Sequence, residues 1–163
     1  MKLSSTPAST PAPWWLKAWS VQHQLLDRLQ APAALLARLY VAQVFFLSGL
    51  TKLRDWDTTL ALFADEYHVP LLPPAWAAVA GTFGELVLPV LLVLGLGGRL
   101  GALGLSVVNV VAVVSLADIA PAALQQHITW GVLLAGLAVF GSGPWSLDRW
   151  VAPTLRRWLG VPH

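Results

Sequence analysis

The chain contains no cysteine and few charged residues. Cysteine is absent from its 163 residues, and Asp, Glu, Lys and Arg together make up 11%. Disulfide bonds, thiolate metal ligands and thiol redox chemistry within this chain are therefore excluded. Soluble domains carry about 25% charged residues, whereas this chain is 56% hydrophobic. The composition predicts a single-domain integral membrane protein.

The chain also lacks the short motifs of common soluble enzymes. It has no nucleotide-binding loop, nucleophile elbow or zinc-protease motif. Basic residues outnumber acidic ones by 10 to 8, but they lie beside apolar runs rather than in one patch. We therefore interpret them as signals of membrane topology and expect no nucleic-acid partner.

Four apolar runs each approach the ~20 residues that a membrane-spanning helix needs. They cover residues 33–53, 75–96, 99–117 and 123–140. We predict an all-α fold, an integral membrane four-helix bundle, in a domain covering residues 33–150. The lipid bilayer is its first predicted partner.

The predicted domain has a flanking segment on each side. Residues 1–13 are rich in Pro, Ser, Thr and Ala, which predicts a disordered tail rather than a secretory signal. Residues 14–30 combine three tryptophans with apolar residues at helical spacing. This pattern favours an interfacial amphipathic helix over a soluble helix packed on a partner. Residues 151–163 are predicted to form an interfacial C-terminal tail.

Lys and Arg are distributed unequally between the two sides of the membrane. With both termini on the same side, every Lys and Arg except Lys52 and Arg54 lies on that side. Since basic residues mark the cytoplasmic face of a membrane, we predict that both termini are cytoplasmic.

The long link between the first two runs is predicted to hold a short helix across the outer mouth of the bundle. Asp57 or Thr58 is its predicted N-cap. Leu60, Phe63 and Tyr67 are expected to face the bundle.

Glu85 is the most informative residue because it lies in the middle of the second run. An ionised carboxylate at this depth costs at least a few kcal/mol, so it needs a partner or a function. Pro89, four residues later, has no N–H for the carbonyl oxygen of Glu85. Glu85 is therefore the candidate catalytic residue, as a proton-transfer carboxyl.

Arg38 and Lys52 are the candidate partners of Glu85. When the first and second apolar runs are aligned across the membrane, the depth of Arg38 differs from that of Glu85 by ~7 Å, and the depth of Lys52 differs by ~13 Å. We therefore predict the pair Arg38–Glu85, with Lys52 extending outward. If neither cation reaches, desolvation favours a protonated Glu85. A stripe at helical spacing, suited to packing on another helix, comprises Arg38, Ala42, Phe45, Gly49 and Lys52.

Two amides are expected at the depth of Glu85. Gln43 and Asn109 each lie about ten residues into their runs, which predicts a cross-helix hydrogen-bonded layer with Glu85. The alternative is that these amides only hold helices together.

His127, near the start of the fourth run, is predicted to hydrogen-bond across helices. A titrating role beside a substrate or quinone is an alternative. A metal site with His68 and Asp118 is another, but it lacks any motif spacing, so no metal is predicted.

Several short motifs follow one another along residues 35–149. They are Arg38-Leu39, Gly49-Leu50-Thr51-Lys52-Leu53, Gly84-Glu85, Leu94-Gly95-Leu96, Arg99-Leu100 and residues 141–148, GSGPWSLD. Their order resembles the DoxX family of small four-helix membrane proteins. The resemblance implies a bacterial inner-membrane protein, with characteristic charged residues at Arg38, Lys52, Glu85 and Arg99.

The resemblance also guides the prediction of function. Some members of the family are subunits of a thiosulfate-to-quinone oxidoreductase, and others resemble membrane anchors of complexes that handle oxidative stress. We therefore predict a membrane subunit or anchor of a redox-linked complex, non-catalytic or quinone-interacting, with quinone as the candidate cofactor and an oxidoreductase subunit as partner. The alternatives are a non-catalytic scaffold or assembly factor and a small-molecule carrier, for which a homo-oligomer would supply the second half.

Overall fold

The computed structural model describes residues 13–97, 99–141 and 143–160, and these residues form six α-helices. The helices are α1 (Trp14–Arg54), α2 (Trp56–Asp65), α3 (Pro74–Leu94), α4 (Leu100–Val114), α5 (Pro121–Phe140) and α6 (Asp148–Leu159). The described residues contain no strand, only an isolated bridge between Tyr67 and Leu116. The predicted all-α class is confirmed. Residues 1–12 of the predicted tail lie outside the described residues.

Helix α1 joins two segments that the sequence treats separately. Its 41 residues include both the predicted interfacial helix and the first apolar run, and Pro32 lies inside it. Residues 14–30 are exposed on every side, and their place in the membrane interface stays a prediction. The second half is buried along the predicted stripe, at Arg38, Ala42, Phe45 and Gly49.

The helices α1, α3, α4 and α5 pack in a ring. Helix α1 contacts α3 and α5, and α4 contacts both α3 and α5. The shared core contains Phe45 of α1, Leu92 of α3, Leu105 of α4 and Leu134 of α5. Helices α3 and α4 come close at Gly101, where a Cβ would lie 3.1 Å from the backbone nitrogen of Leu92.

Three of these helices are long and apolar enough to cross a membrane. They are α1, α3 and α5, whereas α4 is a shorter apolar helix of 15 residues. At 1.5 Å per residue α4 extends ~23 Å, less than the ~30 Å hydrocarbon core. The predicted count of four spans therefore stays a prediction for α4. Large apolar side chains face outward around the bundle, as lipid contact requires, among them Leu36, Val79, Phe83, Leu103, Val107 and Val132.

Helix α2 forms where the sequence predicts a short helix, but its N-cap differs. The carboxylate of Asp55 accepts hydrogen bonds from the backbone N–H of Thr58 at 3.0 Å and from its hydroxyl at 2.7 Å. The predicted cap at Asp57 or Thr58 is therefore wrong by two or three positions. The two bonds lower the pKa of Asp55, because they stabilise the ionised form.

One face of α2 covers the first turns of α3. Phe63 is buried against Ala77 and Ala78. Leu60 and Tyr67 pack on the same cluster, which confirms the face that the sequence predicts. Helix α2 thus takes the place that a longer α1 would have occupied beside α3.

Candidate functional site

Glu85 forms an ion pair with Lys52 inside the bundle. The Nζ atom of Lys52 lies 2.7 Å from Oε1 and 2.5 Å from Oε2 of Glu85. It also donates a hydrogen bond to the Oγ atom of Ser48 at 3.0 Å. The two side chains are only 20% and 10% exposed, respectively. Each group supplies the opposite charge that the other needs in an apolar surrounding.

The prediction that Arg38 pairs with Glu85 is wrong, because the register of α1 against α3 differs from the assumed one. A Cβ on Gly49 would lie 3.1 Å from the Cβ of Glu85, and a Cβ on Gly95 would lie 2.7 Å from Nη1 of Arg38. Arg38 therefore lies at the far end of α3. The predicted pair assumes that the outer ends of the first and second runs lie at the same depth. In the structure α1 is displaced along α3 from that position by about six residues, or ~9 Å.

The offset follows from the position of α2. Because Phe63 of α2 packs on Ala77 and Ala78, the first turns of α3 are covered without α1. Helix α1 ends at Arg54, about level with the second turn of α3. Lys52 consequently reaches the middle of α3, where Glu85 lies.

A cavity of about 380 Å³ borders the ion pair. Its polar lining comes from Ser48, Lys52, Tyr67, Glu85, Ser115 and His127. Its other walls are mostly aliphatic side chains of α3 and α4, such as Val107, Val108 and Val111. Small-molecule sites have volumes of roughly 300–1,000 Å³ and combine apolar walls with a few convergent polar groups. The cavity has both properties.

The links after α2 and α4 meet at one end of the cavity. The backbone N–H of His68 donates to the carbonyl oxygen of Ser115 at 2.8 Å. Burial, with the negative charges of Glu66 and Glu85, raises the pKa of Tyr67. The phenol of Tyr67 therefore stays protonated and is a hydrogen-bond donor at the cavity wall.

His127 and Asn109 connect α5 to α4 by two hydrogen bonds. The Nδ2 atom of Asn109 donates to the carbonyl oxygen of His127 at 3.0 Å, and Nδ1 of His127 lies 2.8 Å from Oδ1 of Asn109. The predicted cross-helix bond of His127 is confirmed. The predicted layer of Gln43, Glu85 and Asn109 does not form, because Asn109 bonds to His127 and Gln43 is exposed.

Two other predicted site residues lie away from the cavity. Gln43 borders an outward-facing apolar groove, which Phe46 and Pro89 also line. Arg99 is exposed at the N-cap of α4. The structure brings neither residue to the ion pair.

Arg38 is fully buried and binds backbone carbonyl groups. Its Nη1 donates to the carbonyl oxygen of Val93 at 3.3 Å, and its Nη2 donates to that of Trp145 at 2.6 Å. Val93 lies in the last turn of α3, where carbonyls lack helical partners and a nearby cation is favourable. Arg38 thus ties α1 to the end of α3 and to the link before α6.

The same link is held by the turn that follows α3. The backbone N–H of Asp148 donates to the carbonyl oxygen of Gly95 at 3.2 Å, and Oδ1 of Asp148 accepts from the N–H of Gly97 at 2.9 Å. Gly95 has a φ of 63°, and a Cβ there would lie 2.5 Å from the Cβ of Ser146. We call the group of Arg38, Val93, Gly95, Trp145 and Asp148 the Arg38 cluster.

Residues 13–97, 99–141 and 143–160 contain no group of three or more His, Asp and Glu side chains that could hold a metal ion. The alternative site of His68, His127 and Asp118 is therefore not assembled. The Nδ1 atom of His68 instead lies 3.2 Å from the carbonyl oxygen of Glu66.

Sequence reasoning missed three polar groups of the cavity. Ser48 precedes Lys52 by one helical turn, so the i, i+4 spacing was a usable signal. Tyr67 was expected to face the bundle but not to line a site. Ser115 has no signal, since its place depends on where α4 ends.

The DoxX family profile matches residues 33–118. The chain belongs to the DoxX family. The matched residues of this DoxX protein include Arg38, Lys52 and Glu85, and they end before residues 141–148. No curated protein and no solved structure matches the chain. Membership and the long apolar helices together make it a multi-pass membrane protein in contact with the lipid bilayer.

Proposed function

We propose that this DoxX protein is a membrane subunit of a redox-linked complex and that its cavity binds a quinone headgroup. The supporting observation is the ion pair Lys52–Glu85 at the wall of a mostly apolar cavity of about 380 Å³. A charged pair within a membrane bundle is costly and usually marks a function. A scaffold would have no need of the adjoining cavity.

The donor set of the cavity fits a quinone. Tyr67 offers a phenolic O–H to a carbonyl oxygen of a ligand. Lys52, whose N–H groups bind Glu85 and Ser48, places its positive charge at the same wall of the cavity. The aliphatic walls suit an apolar ring. A bound quinone would supply two-electron acceptance. Glu85, held against Lys52, would hold and release a proton beside the ligand oxygen.

Quinone binding is tested with purified protein in lipid nanodiscs. We expect a quinone in the organic extract and saturable binding of ubiquinone-1. Lys52→Met should weaken binding roughly tenfold, because the positive charge beside the ligand oxygen is lost. Gln43→Leu is the matched control, since Gln43 lies outside the cavity, and its affinity should equal that of the wild type. A clean extract with no saturable binding would refute the proposal.

The proposal includes the inner membrane and cytoplasmic termini. The unequal distribution of Lys and Arg along the sequence supports this orientation. The absence of cysteine makes single-cysteine labelling direct. In intact cells, an impermeant maleimide should label Asp57→Cys and should leave Ser20→Cys unlabelled until the cells are lysed. The reverse pattern would invert the topology.

Anchoring of a partner oxidoreductase is the second candidate, and α1 favours it. Residues 14–30 are exposed on every side, although Trp14, Trp15 and Trp19 are large apolar surfaces. If this segment anchors a partner, replacing the three tryptophans by serine should abolish co-purification of the partner while Lys52→Met leaves co-purification intact. The opposite result would favour the cavity as the partner-dependent site.

A further inference from the structure

The hydrogen bonds of Asn109 determine which nitrogen of His127 carries a proton. The carbonyl oxygen of His127 can only accept, so the Asn109 atom at 3.0 Å is the NH₂ nitrogen. The amide oxygen of Asn109 then faces Nδ1 of His127 at 2.8 Å. Because that oxygen also only accepts, Nδ1 must be the protonated nitrogen.

The other ring nitrogen of His127 is left as an acceptor. A charged imidazolium within a membrane bundle is costly, and the carboxylate of Glu85 is bound by Lys52. In the neutral ring with Nδ1–H, Nε2 carries a lone pair and no hydrogen. No described residue hydrogen-bonds to Nε2, and it is not an enclosed atom. His127 lines the cavity, so Nε2 is offered to a ligand there.

The polar groups of the cavity therefore treat the two redox forms of a ligand differently. Tyr67 donates a hydrogen bond that either a carbonyl or a hydroxyl oxygen accepts, and the positive charge of Lys52 favours either oxygen. Nε2 of His127 accepts only, so it bonds to a hydroxyl group but not to a carbonyl oxygen. A carbonyl oxygen there would leave two acceptors facing each other.

We propose that His127, oriented by Asn109, makes the cavity selective for the hydroxyl form of its ligand, the quinol, over the quinone. The ligand class rests on the proposed function, whereas the acceptor character of Nε2 rests on the two hydrogen bonds alone. His127 is thus a specificity-determining contact, and Asn109 is a positioning residue.

The binding test compares ubiquinol-1 with ubiquinone-1 under anaerobic conditions. The wild-type protein should bind the quinol roughly tenfold tighter, the worth of one hydrogen bond. His127→Phe should lower the ratio of the two dissociation constants to about one, chiefly because quinol binding becomes weaker. His68→Phe is the matched control, because His68 is exposed and does not line the cavity.

The outcomes separate the two proposals. Equal binding of both forms by the wild type, or an unchanged ratio in His127→Phe, overturns the selectivity while the quinone site stands. Failure of both forms to bind overturns the proposed function and, with it, the selectivity.

A second measurement needs no ligand. In ¹⁵N-histidine-labelled protein, the signals that disappear in His127→Phe should include a pyridine-type nitrogen coupled to no hydrogen, assigned to Nε2. Asn109→Leu should abolish the preference of His127 for the tautomer protonated at Nδ1, so that both tautomers are seen. The selectivity for the quinol should fall in the same variant. A protonated Nε2 in the wild type would overturn the inference.

Discussion

Two cations of α1, the buried Arg38 and the half-buried Lys52, lie in opposite kinds of surroundings. In the Arg38 cluster, Nη1 and Nη2 of Arg38 donate to two carbonyl oxygens from separate segments of the chain, those of Val93 and Trp145. Lys52 meets one carboxylate and one hydroxyl beside a cavity. The planar fork of arginine suits two acceptors at fixed positions, whereas lysine is a compact point charge.

The difference shows that a buried charge does not by itself identify a functional site. In the Arg38 cluster the guanidinium group binds a carbonyl oxygen in the last turn of α3. At the cavity, the ion pair of Lys52 and Glu85 lies next to space that a ligand can occupy. We therefore expect substitutions in the Arg38 cluster to lower stability and substitutions at the ion pair to lower binding.

The largest loss of stability is expected for Arg38→Met. It removes charged hydrogen bonds to the carbonyl oxygens of Val93 and Trp145, at a cost of about 3 kcal/mol in the free energy of unfolding. Thermal unfolding in nanodiscs measures it, with the exposed Arg99→Met as the control. Ubiquinone-1 affinity per folded molecule should not change. An undiminished melting temperature would contradict the assigned role.

Alanine substitution of two glycines gives a matched comparison of the regions. Gly95→Ala places a Cβ 2.5 Å from that of Ser146 at positive φ and should cost about 2 kcal/mol. Gly49→Ala presses on Glu85 and Leu86, so it should weaken ubiquinone-1 binding as well. Gly136→Ala is the control, because its Cβ would meet nothing within 4 Å. If Gly95→Ala weakened binding and Gly49→Ala did not, the comparison would fail.

Two double-mutant cycles sharpen the assignment of the ion pair. Lys52→Met and Glu85→Gln should couple by about 1 kcal/mol in the free energy of unfolding, because they remove partners in contact. Arg38→Met and Glu85→Gln should be additive within about 0.5 kcal/mol. Chemical unfolding of the four proteins of each cycle supplies the energies. Coupling of Arg38 rather than Lys52 would restore the pair predicted from sequence.

The smallest effect is expected at Asp55, outside both regions. Since its pKa is lowered in the folded protein, its cap stabilises α2 above the pKa of an unfolded aspartate, ~3.9, and this contribution is lost as the pH falls through the folded value. Asp55→Ala should therefore lower the melting temperature slightly at pH 7, and this difference should shrink as the pH falls below the pKa of an unfolded aspartate. A difference that persists at acid pH would exclude titration of Asp55 as the cause.

The sequence predicts the helices and the need of Glu85 for a cation, but not which cation. Apolar runs and one acid among them are local signals. The choice between Arg38 and Lys52 depends on the register of α1 along α3, which α2 sets by covering Ala77 and Ala78. No local signal reports that contact.

The same limit applies to the amides and to Arg38. Depth along the helix placed Asn109 near Glu85, but rotation about the helix axis turned it toward His127. The acceptors of Arg38 are backbone atoms, and every residue type carries them. Their identity could not be deduced from side chains.

The length of α1 has a geometric consequence for anything that binds its first residues. A helix of 41 residues is ~62 Å long, about twice the ~30 Å thickness of the acyl layer. Pro32 is the position where its hydrogen-bond ladder is interrupted. The ~27 Å that separates Trp14 from Pro32 is close to the width of a small folded domain. The angle at this proline therefore sets whether a bound partner is pressed against the lipid headgroups or held a domain's width above them.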